Sequence, residues 1–134
     1  MKRLLIVAAL VAAPLSIQAC SVTSSPMMSV DKHTFGSEPG STATAAKIRS
    51  ALQARGWKVI DEKPGAIKAK YVKGNPREPE KMHSATIIVT YAGDTYSIGY
   101  VDSENLDYNP EKGTIHRVYN RWIVFLDQDL TMAP

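Results

Sequence analysis

Apolar and polar positions alternate along this chain in two rhythms, and the places where one gives way to the other mark its elements. In the segment 43–55, Ala45, Ile48, Ala51 and Leu52 fall on one side at helical spacing, with Lys47, Arg49 and Gln53 elsewhere. This predicts a short amphipathic helix, opened by the Thr42 hydroxyl and closed by Gly56, which can take a left-handed conformation. The period then drops to two. Trp57, Val59 and Asp61 alternate with Lys58 and Ile60, and beyond the Pro64-Gly65 turn signal Ile67, Ala69 and Tyr71 alternate with Lys68 and Lys70. For Trp57 and Val59 to share a face with Ala69 and Tyr71, paired positions must sum to an even number, which predicts an odd loop such as Lys63-Pro64-Gly65.

After a polar, proline-containing loop (Val72 to Met82), Ala85, Ile87, Val89 and Tyr91 form the apolar side of a third strand. A two-residue Gly93-Asp94 turn places Ala92 opposite Thr95, Tyr91 opposite Tyr96 and Val89 opposite Ile98, with Tyr100 continuing the face. A second long loop, Asp102 to Gly113, precedes a helix capped by Thr114. Its stripe runs through Ile115, Tyr119, Trp122, Leu126 and Leu130, widened by Val118 and Phe125. The order helix, two hairpins, helix predicts an α+β two-layer sandwich of four antiparallel strands with both helices on one sheet face.

The first 19 residues do not belong to that pattern. Lys2 and Arg3 precede an apolar run from Leu4 to Leu15 that is short of the roughly 20 residues a membrane-spanning helix needs. It ends in Ile17-Gln18-Ala19-Cys20, and Cys20 is the sole cysteine. This arrangement resembles the lipobox of bacterial lipoproteins, which implies cleavage before Cys20 and acylation of its thiol with diacylglycerol. A plain secretory signal is the competing reading and would leave a free thiol at the new N-terminus. Residues 20–41, rich in Ser, Thr, Pro and Gly, read as a flexible tether, leaving 42–134 as a single domain.

Cleavage changes the charge. Of 16 basic side chains Lys2 and Arg3 would be lost, so 14 would face 13 acidic ones, a net of +1 in place of +3. Nucleic-acid binding, driven by Lys and Arg excess against phosphates, loses its support. With Cys20 acylated the domain has no disulfide and depends on its core.

Candidate chemistry is sparse. His33, His83 and His116 lack a second ligand at metal-binding spacing, and they read as solvent-facing or capping imidazoles. The segment 102–107 carries several carboxylates, but Asp107 and Gly113 stand where a calcium loop of the EF-hand type needs glycine and glutamate. It reads as a polar connection whose side chains cap backbone. Glu104 as a glycosidase acid would need a partner carboxylate at a set separation. No nucleophile elbow or phosphate-cradling glycine loop is present. Arg117 and Arg121, one turn apart beside Asn120, could bind an anion, although pairing with carboxylates of the 102–111 loop is the favoured use. Lys58, Lys68 and Lys70 project from the outward face of the first hairpin together with Ile60 and Ile88. They are either an ordinary solvated face or a docking face for an acidic partner or lipid headgroups.

From Ile48 to Leu130 the chain, with RGWKVIDEKPGAIKAKY, TYSIGYVDSENL and IHRVYNRWI, is similar to small proteobacterial lipoproteins without an assigned activity. The resemblance implies compartment and size and carries over no catalytic residues, metal or cofactor. Ser21, rather than Asp, after the acylated cysteine implies release to the periplasmic face of the outer membrane in a two-membrane bacterium. The expectation is a lipid-anchored, non-enzymatic binding or scaffolding module of the cell envelope, whose partner is an envelope protein or anionic lipid. The alternatives are a small cell-wall-directed hydrolase or ligand-binding enzyme, and a metal-binding protein.

Overall fold

The computed structural model describes residues 23–36 and 41–132, and of residues 41 and 42 only the backbone. Residues 1–19, expected to be a signal segment, and Cys20 lie outside the described residues. Among the described residues the strands and α-helices follow one another as β1 (Ser24–Pro26), β2 (Val30–Thr34), α1 (Ser41–Ala54), β3 (Lys58–Lys63), β4 (Ala66–Lys73), β5 (His83–Ala92), β6 (Thr95–Glu104), β7 (Thr114–His116) and α2 (Arg117–Thr131), with a short 3-10 turn at Pro79–Lys81. The fold is α+β, with an antiparallel sheet in the order β2-β6-β5-β4-β3 and a two-stranded ribbon of β1 and β7. One core joins Ile48 and Leu52 of α1, Tyr119, Trp122, Ile123, Leu126 and Leu130 of α2, and the inner residues Ile67, Ala69, Ile87, Val89 and Ile98 of the sheet. Both helices therefore cover the same sheet face.

Residues 24–34, inside the predicted flexible tether, are instead part of the fold. β1 pairs with β7 and β2 pairs with β6, adding a fifth strand to the sheet. Val30 and Phe35 supply the energetic reason, since both are buried in the core. Asn120 of α2 fixes the same segment: its Oδ1 accepts from Met28 N at 2.8 Å, and its Nδ2 donates to Ser25 Oγ and Pro26 O at 2.9 and 2.8 Å.

The first hairpin reaches the predicted parity by another route. Lys58 pairs with Lys70 and Val59 with Ala69, an even sum, but the turn is the two-residue Pro64-Gly65, with Gly65 at φ 83°. A β-bulge at Ile60 absorbs the one-residue difference. It also rotates the strand beyond it, so Asp61 leaves the predicted inner side and opposes Lys68, while Glu62 turns toward α1 and pairs with Arg49. The second hairpin has the predicted register from Ala92 opposite Thr95 to Val89 opposite Ile98. A second bulge at Val101 then shifts it. Ile60 and Val101 are 53% and 41% exposed because an extra residue in a bulged strand has no place in the inner packing.

Helix α1 ends in a Schellman arrangement, with Gly56 N donating to Gln53 O and Trp57 N to Leu52 O. Gly56 has φ 85°, and a Cβ there would meet the Tyr71 ring at 3.1 Å. At α2 the predicted start moves. Thr114 and Ile115 belong to β7, and His116 caps the helix through Nδ1, which accepts from Val118 N. Ile123 completes the buried stripe, whereas Phe125, predicted to widen it, is 40% exposed.

Candidate functional site

Two surfaces are candidates for a functional site. The first is the outward sheet face. Period-two alternation in β3 and β4 places Lys58, Lys68 and Lys70 together there, with Ile88 across from Lys68 and the exposed Ile60 at the β3 edge. Lys58 and Lys70 are direct cross-strand partners. Asp61 opposes Lys68 and Asp102 opposes Thr86, so the face runs from basic at β3 and β4 toward acidic at β6. None of the three lysines forms an ion pair with a described residue.

The second surface is a groove of about 490 Å³ between the end of α1, β4 and α2. Its floor is aromatic: the Tyr71 ring lies 5.3 Å from Trp57 and 4.8 Å from Trp122, and the two indoles meet edge to face at 6.5 Å. Val118 and Phe125 line one wall, and Arg55, Lys73 and Arg121 supply three cations. Arg55 is held in place. Its guanidinium donates Nε and Nη2 to the two carboxylate oxygens of Asp129, at 2.6 and 2.8 Å, and stacks 5.0 Å from the Phe125 ring. Lys73 and Arg121 form no ion pair with a described residue, and no carboxylate, imidazole or thiol lines the groove. Guanidinium, ammonium and aromatic rings are binding groups, so the groove is equipped to hold an anion with an apolar part.

The Asp129 carboxyl is held below its ordinary value by the hydrogen bond from Arg55, which outweighs the upward push of burial, with the charge of Arg55 adding a smaller downward pull. A lowered folded-state value stabilises the fold at neutral pH, and that contribution fades as pH falls through it. Wild type should therefore melt above Asp129→Asn at pH 7, and the gap should close as the pH drops below the ordinary 3.8. A gap unchanged at acid pH in calorimetry would mean that the carboxylate charge does not act there.

The histidines are brought closer than their spacing suggests. His83 and His116 stack with ring centroids 6.4 Å apart, His83 donating Nδ1 to Asn105 O and His116 capping α2. Among the described residues no group of three His, Cys, Asp or Glu side chains is placed to hold a metal ion. His33 sits in β2 and donates Nδ1 to Asp127 Oδ1, which also receives the Tyr96 hydroxyl at 2.6 Å. Burial, then this hydrogen bond, pushes the Tyr96 phenol far above its usual range. β6 runs on to Glu104, which accepts from Ser84, so the predicted 102–113 loop begins only at Asn105; there Leu106 is buried and Asn105 at φ 57° clamps Glu80 O and Met82 O through Nδ2. Arg117 and Arg121 make no ion pair with that loop, contrary to the favoured sequence reading. The groove has no signature of its own in the sequence, where alternation shows only that Trp57 and Tyr71 share a sheet face and that Trp122 lies on the apolar stripe of the last helix.

Fold and site together define a small α+β module with a cationic, aromatic-floored groove and a lysine-bearing sheet face. No family model matches the chain, and no curated protein sequence matches it significantly. No helix among the described residues is long and apolar enough to cross a membrane.

Proposed function

We propose that the protein is a lipid-anchored, non-enzymatic binding module on the periplasmic face of the outer membrane, held there through Cys20, whose outward sheet face docks on an acidic surface of another envelope protein. The observation that carries the docking face is the direct opposition of Lys58 and Lys70 across β3 and β4, with Lys68 beside them and no ion pair from any of the three to a described residue. Like charges placed opposite one another destabilise a sheet, by up to roughly 1 kcal/mol. An anionic partner turns that repulsion into attraction.

A protein is favoured over lipid headgroups as the partner of this face by where the chain enters the fold. Thr23 O accepts from Arg117 N at 2.9 Å, so the segment leading back to Cys20 leaves from α2, in the helical layer, and the lysines lie on the opposite side of the sheet. Lys58→Glu, Lys68→Glu and Lys70→Glu together should leave the melting temperature within a few degrees of wild type, because none of the three side chains belongs to the buried core. In-cell cross-linking read by mass spectrometry should lose its main partner. A triple variant that keeps every partner would reduce this face to a solvated surface.

A further inference from the structure

The groove and the entry of the chain lie on either flank of one exposed strip of α2. Asn120, on one flank, grips β1, while Val118, Trp122 and Phe125, on the other, line the groove. Arg117 and Arg121, four residues apart and both exposed, run between them. Only three peptide units separate Cys20 from Thr23, whose carbonyl is bonded to Arg117 N. Fully extended, they span at most about 11 Å. A lipid on Cys20 therefore brings this strip of α2, and the groove beside it, to the bilayer surface.

The groove's own chemistry selects what it would meet there. Lys73 and Arg121 offer two cations that no described carboxylate neutralises, the third, Arg55, is fixed over Phe125, and apolar ring faces lie beneath. An anion with an attached apolar chain satisfies both halves, and the bilayer surface presents that combination in its acidic phospholipids. We infer that the groove seats the headgroup of an anionic phospholipid, with the phosphate at Arg121 and Lys73 and the first methylenes against Tyr71 and Phe125. The inference rests on the lipid-anchor reading.

The chain carries an internal reporter, since Trp57 and Trp122 are its only tryptophans and both line the groove. The test reconstitutes the natural acylated protein in phosphatidylcholine vesicles containing a fixed fraction of either phosphatidylglycerol or further phosphatidylcholine, brominated near the headgroup end of the acyl chains. Tryptophan fluorescence should be quenched at least twofold more by the brominated acidic lipid, and millimolar glycerol phosphate should not relieve it. Lys73→Gln with Arg121→Gln, both exposed positions, should abolish the preference while circular dichroism stays unchanged; Lys73→Glu with Arg121→Glu should do so more strongly.

Equal quenching by the two lipids, or none by either, would overturn the inference, as would a preference that survives both pairs of substitutions. Relief by glycerol phosphate would assign the site to a soluble phosphate ester instead. Sedimentation of the vesicles reads the anchor separately. Protein left in the supernatant removes the anchor reading and this inference with it, whereas protein that sediments unquenched keeps the anchor and loses only the groove.

Discussion

Truncating Trp122 to alanine should destabilise the domain by about 3–5 kcal/mol, a large part of the roughly 5–15 kcal/mol available to a single domain. Trp122 is 8% exposed, stands edge-on to Tyr71 at 4.8 Å and to Trp57 at 6.5 Å, and so joins α2 to β4 and to the residue leading into β3. Its removal leaves a cavity where three rings meet and opens the groove floor to water. Urea unfolding followed by far-UV circular dichroism is the measurement, and Trp122→Phe should recover much of the loss. A midpoint unchanged in Trp122→Ala would mean that α2 does not rest on the sheet through this residue.

Replacing Cys20 with serine should move nearly all of the protein from the membrane fraction to the soluble one. Each buried methylene of an acyl chain contributes about 0.8 kcal/mol to membrane binding, so removing two chains removes far more than a few surface cations restore. Folding should survive, because the buried core, from Val30 to Leu130, is untouched by the change. Intact Cys20→Ser protein that still fractionates with membranes would sink the lipid-anchor assignment.

Much of this architecture is legible in the sequence because half-buried strands and helices write their faces at periods of two and 3.6. Ile67, Ala69, Ile87, Val89 and Ile98 are inner residues on that ground alone, and the outward placement of Lys68 and Lys70 follows from the same alternation. What was lost is what alternation cannot encode. An odd loop and a two-residue turn with a bulge satisfy the same parity, and only the structure shows that Ile60 carries the difference. β2 buries a single side chain, Val30, and a bulge at Lys32 (φ 51°) breaks its period, so a strand looks like a linker until β6 is beside it. Val30 and Phe35, two large apolar residues in a polar stretch, were the available signal. The groove's aromatic floor was visible as core. The convergence of Lys73 and Arg121 over it depends on how α2 lies across β4, which no local spacing reports.

The pairing of the chain's first strands with its last elements has a consequence for the order in which the fold can be assembled. Ser24 opposes His116, and Met28 is bound to Asn120, 92 residues further on. A chain emerging from its N-terminus can complete the β3 to β6 meander, whose hairpins close locally, while β1 still has no partner. That ribbon and the seat for Met28 exist only after α2 has been made, so the segment next to Cys20 is among the last parts of the domain to be fixed. Until then β1 and the backbone at Met28 have no partners, so the N-terminal end of the described fold stays open after the meander has closed.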